Sequence, residues 1–220
     1  MNLGAAKARH SGIWGEAQKE IFFSRWMEHP CSSIVHHEKK CCEEARLWFL
    51  AYARSMEGTT ATQNKLRPPV WLGQLYTWGP SHWPIAWCEL IEEKILDCGV
   101  FAALAREIFQ AQGVSVHPAQ ALISYNEGCT GHWKDLWREA EKKEKGGNLF
   151  PWVGEKIVYH EVCILEMPAG AGKLYDSTFS HWMEPENRAG FGAMLAVRTE
   201  CPRLLSWGGK TLSHGEWVEL

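Results

Sequence analysis

The stretch from Asp97 to Gly113 restricts the fold more than any other part of the chain. Val100, Phe101, Leu104, Ala105, Ile108 and Phe109 recur at i, i+3, i+4 spacing and form one unbroken apolar stripe. Asp97 is a good N-cap and Gly113 a natural stop, so the segment reads as a helix with one face committed to a core. Cys98 then falls in its first turn. Upstream the texture is also helical. Trp14, Ala17, Ile21, Phe22 and Trp26 repeat with helical period up to His29-Pro30, and a further helix is expected from about Lys40 to Met56.

Downstream the period changes. Val114–Val116 and Ala119–Tyr125 read as short strand pieces, and His132–Lys145 as a charged, Trp-containing helix. Ile157–Met167 alternates as a strand, Pro168–Gly172 as a turn, Lys173–Phe179 as the returning strand and Gly192–Thr199 as another. Trp207–Gly209 and Glu216–Leu220 are expected to form a terminal hairpin. Helices first and antiparallel strands later give an α+β class, in one domain spanning 1–220 with a helical part over 1–69 and a core over 70–220. Between them, Val70–Trp87 is rich in aromatics and broken by Gly73, Gly79, Pro80 and Pro84, so irregular backbone is expected there.

With 220 residues, 45% of them hydrophobic and 22% charged, the chain has the makings of one packed domain rather than a disordered tail. Its net charge of −3 argues against a general nucleic-acid binder. The apolar runs are short, so no membrane span is expected, and the first fifteen residues lack the apolar core of a secretory signal; the expectation is a cytoplasmic protein. Eight cysteines with no CxxC pair then read mostly as free, buried thiols. The segment holding His29, Cys31, His36, His37, Cys41 and Cys42 has zinc-type side chains but not the paired spacing of a zinc site. It reads as a polar loop with buried thiols, so no metal and no cofactor are assigned.

The chemistry points to Cys98. A thiol attacks carbonyl carbon as thiolate, and the positive end of a helix lowers its pKa. Gly99 would let a substrate carbonyl approach, and the Cys98 backbone N–H would serve as an oxyanion donor. A thiol at a helix start is by itself ordinary packing material. A base and an orienting acid change the balance: His160 on one strand and Asp176 on the returning one. Facing residues of a hairpin have a constant index sum, and any turn centre between 168 and 170 that makes the sum even puts both side chains on one sheet face. Centring at 168 sets His160 opposite Asp176; centring at 170 sets Asp176 opposite Ile164 and needs a bulge. Trp87, Trp83 and Gln74, just ahead of the helix, are candidates for a second oxyanion donor, Trp87 first. His82, His132 and His181 are other imidazoles that could act as base, none on so clear a strand.

Leu96-Asp97-Cys98-Gly99-Val100-Phe101-Ala102-Ala103-Leu104-Ala105-Arg106 resembles the nucleophile helix of the transglutaminase-like superfamily. Gln112-Gly113-Val114-Ser115-Val116 resembles its turn into the sheet, Tyr159-His160-Glu161-Val162 its histidine strand, and Leu174-Tyr175-Asp176-Ser177-Thr178 its acid strand. The likeness covers about residues 90–180. It departs at the acid strand, where the aromatic sits immediately before the acid, as Tyr175. The resemblance implies a papain/transglutaminase-like fold, with the nucleophile helix packed on a C-terminal antiparallel sheet, and a Cys98–His160–Asp176 triad working through an acyl thioester. The expected activity is acyl transfer from a small-molecule or carrier-bound donor to an amine acceptor. The alternatives are hydrolysis as a peptidase or amidase, and a binding module on the same fold without catalysis.

Overall fold

A computed structural model of the chain describes residues 30–57, 68–79, 84–124, 157–184 and 194–220. Four helices come first: α1 (Lys40–Glu57), α2 (Leu72–Leu75), α3 (Trp87–Leu90) and α4 (Cys98–Ala111). Two short strands, β1 (Thr77–Trp78) and β2 (Ile95–Leu96), pair in parallel among them. Then follow β3 (Val116–Ser124), β4 (Ile157–Glu166), β5 (Gly172–Asp176), β6 (His181–Met183), β7 (Met194–Thr199), β8 (Leu205–Trp207), β9 (Lys210–Leu212) and β10 (Val218–Glu219). Six of these form an antiparallel sheet in the order β10-β7-β3-β4-β5-β6. The molecule is therefore α+β. The expected helix around Trp14–Trp26 and the charged helix His132–Lys145 lie outside the described residues.

The central helix begins and ends as its sequence dictates. Asp97 caps α4, its Oδ1 accepting from the Val100 N–H at 2.9 Å. At the other end Gly113 takes φ +79°, its N–H bonding Gln110 O and that of Val114 bonding Phe109 O. That reciprocal pair satisfies the last carbonyls and needs a left-handed residue, which glycine provides without steric cost. Phe101, Leu104, Ile108 and Phe109 are buried, each contributing about 1.5–3 kcal/mol through apolar burial. Arg46 of α1 clamps Glu107 of α4 through Nε and Nη2, at 3.1 and 3.0 Å.

β4 is buried on both faces from Tyr159 to Leu165. Cys163 and Leu165 join the core beneath the helices, whereas Val162 and Ile164 join a second core with Ala119, Val197, Leu205, Trp207 and Leu212. This alternation follows from the two-residue period of a strand.

Three expectations are corrected. Val116–Ser124 is one strand rather than two pieces, with Pro118 inside it. Proline cannot donate to a ladder, and the pairing of β3 with β7 starts one residue later, at Ala119 opposite Thr199. The terminal hairpin is also different. Gly208 and Gly209, both at positive φ, turn β8 into β9 (Trp207 opposite Lys210), while β10 leaves to pair with β7. A two-residue Gly-Gly turn is a strong hairpin former, and it captures the strands beside it. Finally, the aromatic segment between 70 and 87 holds α2, β1 and the first residue of α3 within its described part, rather than irregular backbone alone.

Candidate active site

Cys98, His160 and Asp176 come together. Cys98 is the first residue of α4, His160 lies early in β4 opposite Ala121 of β3, and Asp176 ends β5. The β4–β5 register pairs Cys163 with Tyr175 and Leu165 with Lys173. The hairpin is therefore centred at Ala169, where Ala169 and Gly170 both take positive φ. His160 and Asp176 share a face, but neither opposition considered from the sequence holds: the histidine sits one diagonal step from the acid, with no bulge in the ladder. A diagonal neighbour is within reach of long side chains, and His160 Nε2 lies 3.0 Å from Asp176 Oδ2.

The Asp176 carboxylate has two tasks. Its Oδ1 accepts the N–H groups of Thr178 and Phe179, at 3.0 and 3.3 Å, closing the turn that follows β5. Its Oδ2 faces the imidazole. Anchoring one oxygen in a turn fixes the direction of the other. With Nε2 facing Asp176, Nδ1 is the nitrogen left to face Cys98, whose thiol interacts electrostatically with the ring. His160 and Asp176 are both buried, at 3% and 0% exposure, while Cys98 keeps part of its surface open.

Burial works against charge on both Cys98 and His160. On His160 it pushes the ring down, but the Asp176 carboxylate 3.0 Å away and the neighbouring Cys98 prevail and raise the pKa to about 10. On Cys98 burial prevails and pushes the thiol up, against the hydrogen bond and charge of His160; Asp97 and Glu161 add to the rise. Desolvation and the carboxylates of Asp97 and Glu161 thus act against the lowering expected from the helix start.

The role expected for Gly99 is also corrected. A Cβ at this position would meet the Cβ of Ser32 at 2.6 Å, so the glycine makes room for Ser32 rather than for substrate. Ser32 in turn binds a buried carboxylate that sequence reasoning missed. Glu161 accepts the Ser32 N–H at 2.8 Å, the Ser32 hydroxyl at 2.9 Å and the Tyr159 hydroxyl at 3.0 Å. Burial raises its pKa, with the Ser32 and Tyr159 donors pulling the other way. Arg106 of α4 donates to the Ser32 carbonyl at 2.6 Å. The segment around Ser32 is thereby strapped against α4. The signal was present: Glu161 is an acid in the middle of an apolar strand, beside His160.

The other candidates lie elsewhere. Trp87 is buried in the helical core, its ring centroid 5.6 Å from that of Phe49 and its backbone N–H bonded to Val35 O. Gln74 is exposed on α2, and Trp83 lies outside the described residues, as do His82 and His132. His181 is opposite Asp176 on β6. Between it and the triad stands Phe179, 43% exposed, with its ring centroid 6.2 Å from that of His160 and 6.5 Å from that of His181. It presents exposed apolar surface beside the imidazole. The backbone N–H groups of Cys98 and Gly99 fall at a helix start, outside the intrahelical ladder.

Among the described residues no helix is long and apolar enough to cross a membrane, and all seven described cysteines are free thiols. No protein-family model, no curated protein and no solved structure matches the chain.

Proposed function

We propose that this protein is a cysteine-nucleophile acyltransferase of the transglutaminase-like kind, in which Cys98 carries the acyl group as a thioester and an amine receives it. The observation that carries the reading is the continuous line of contacts from the Cys98 thiol through His160 to Asp176. Such a line is the arrangement in which an imidazole takes a thiol proton while a carboxylate holds its tautomer and stabilises its charge.

The steps follow from the geometry. Cys98 Sγ adds to the carbonyl carbon of the donor from the state in which its proton already sits on His160, the imidazolium that Asp176 holds charged. The oxyanion is met by the backbone N–H groups of Cys98 and Gly99 at the start of α4. His160 then returns the proton to the departing amine or carrier thiol, and the C–S thioester remains. An incoming amine adds to that carbonyl and gives up its proton to the imidazole. The C–S bond breaks, the proton returns to Sγ, and an amide leaves.

Transfer is preferred to hydrolysis on one specific ground. The imidazole and carboxylate are buried beside the ring of Phe179, which limits the water that can be activated at the thioester. The same apolar neighbour suits a small or carrier-bound acyl donor. Free thiols fit a reducing compartment such as the cytoplasm.

The test offers the protein an acyl thioester with and without a primary amine, and follows both products and intact mass. The reading expects an acyl adduct on Cys98 without the amine and an amide product with it. Release of the free acid alone, with or without amine, would make the protein a hydrolase. No adduct with any donor would leave a binding module on the same fold.

A further inference from the structure

Away from the triad, three cysteine sulfurs converge. Cys41 and Cys42 open α1, and Cys88 is the second residue of α3. The Cys42 and Cys88 sulfurs are 3.2 Å apart, and all three lie within 4.8 Å of one another. Cys42 is buried, Cys88 half-buried and Cys41 exposed. Adjacent residues on a helix diverge by about 100°, so packing alone gives Cys41 no reason to share a point with Cys42. Yet its sulfur meets the other two.

We propose that Cys41, Cys42 and Cys88 form a binding site for a thiophilic divalent cation of the zinc class, held by three thiolates with the fourth position open to solvent. A metal at the usual zinc–sulfur distance sets its sulfurs roughly 3.8–4.0 Å apart. The trio is thus close to a coordination triangle, and the 3.2 Å pair has only to open slightly. A disulfide between Cys42 and Cys88 would instead need a contraction of more than an ångström. It would also leave the third sulfur without a purpose. Binding is balanced by release of the thiol protons: three S–H bonds give way to three S–metal bonds. The charged and titratable groups around the trio include Glu43, whose Oε2 is 3.0 Å from His36 Nε2.

The other convergent group, His117, Glu166 and Cys201, is not comparable, because Arg203 Nη2 sits 2.7 Å from the Glu166 carboxylate and occupies it. The thiol site ties α1 to α3. Its metal would also brace the strap carrying Ser32, which joins α3 through the bridge between Val35 and Ala86. The sequence expectation of no metal considered only the segment from His29 to Cys42; Cys88 is the ligand it lacked.

The experiment titrates the reduced full chain with Zn2+ against a chromophoric chelator, repeats it with Co2+ to read the thiolate-to-cobalt absorption band, and maps alkylation of each cysteine with and without zinc. The proposal expects stoichiometric zinc, protection confined to Cys41, Cys42 and Cys88, and loss of the cobalt thiolate band in Cys88→Ser. Cys41→Ser alters an exposed side chain, so the fold survives it, and it should weaken zinc binding by at least about tenfold, while Cys201→Ala should bind as the parent does. Absence of stoichiometric zinc, unchanged affinity in Cys41→Ser, or protection of other cysteines would overturn the proposal. None of these outcomes depends on acyl transfer.

Discussion

Asp176 and His160 are placed one diagonal step apart across a hairpin, and that offset brings Oδ2 to 3.0 Å from Nε2 while Oδ1 stays bound to the turn amides of Thr178 and Phe179. Direct opposition would have used the same strands and the same residue types. The turn centred at Ala169 decides between them, and with it the direction from which the carboxylate addresses the ring.

Because that carboxylate sustains the charge on His160, Asp176→Asn should lower the imidazole pKa steeply. Asparagine keeps an oxygen for the turn amides, so the fold is preserved. Burial then acts unopposed by the acid, and the pKa should fall from about 10 to below the unperturbed 6.5. Ring proton shifts of His160 against pH would show it. A ring that still titrates near 10 would mean that Asp176 is not its electrostatic partner.

Stability should decline on the alkaline side. His160 has a folded-state pKa raised to about 10 from 6.5, so its contribution is complete below 6.5 and lost as pH climbs through 10. Cys98, also raised, acts in the same sense above its ordinary 9.0. The loss between pH 6.5 and 10 should be on the order of a few kcal/mol, measured by denaturant unfolding, and much smaller in His160→Ala. An identical pH slope in parent and variant would contradict this.

The contact of Gly99 with Ser32 predicts a paired effect. Gly99→Ala should cost about 1–3 kcal/mol, since the methyl group has no space. Adding Ser32→Gly should recover much of it, because the clash is with that side chain and the Ser32 N–H remains for Glu161. Equal losses in the single and double variants would place the strain elsewhere.

Much of this architecture can be read from the residues, and the limits have physical reasons. The caps of α4 are local: Asp97 and Gly113 bind amides and carbonyls within a few residues, so they are written in adjacent letters. The same holds for α1, expected from about Lys40 to Met56 and found over Lys40–Glu57. Strand parity is likewise local, and it put His160 and Asp176 on one face; their offset depends on turn geometry that parity does not carry. What is not local was not legible. Ser32 and Glu161 are 129 residues apart, and Cys42 and Cys88 are 46 apart. The Cys98 thiol shows the same limit, because its pKa is governed by burial, a property of the whole fold, rather than by the helix start that precedes it.

Glu161 provides a test of the strap. All three of its described donors point at carboxylate oxygens, two at Oε1 and one at Oε2. In Glu161→Gln one donor must face an amide N–H, so the variant should lose about 1–3 kcal/mol in thermal or denaturant unfolding. Tyr159→Phe, removing a single donor, should lose about 1 kcal/mol. A Gln variant as stable as the parent would show that these bonds do not hold the segment in place.

The central claim is that Cys98, His160 and Asp176 form one nucleophilic unit. Its most direct test is the rate of Cys98 alkylation by iodoacetamide against pH, followed by peptide mass mapping, in the parent, His160→Ala and Asp176→Asn. The account predicts a parent midpoint above the ordinary thiol value of 9.0, displaced further upward in both variants as the hydrogen bond and charge of His160 are removed or weakened. A Cys98 profile that is the same in all three proteins would contradict it, for the thiol would then be independent of the histidine and the acid beside it.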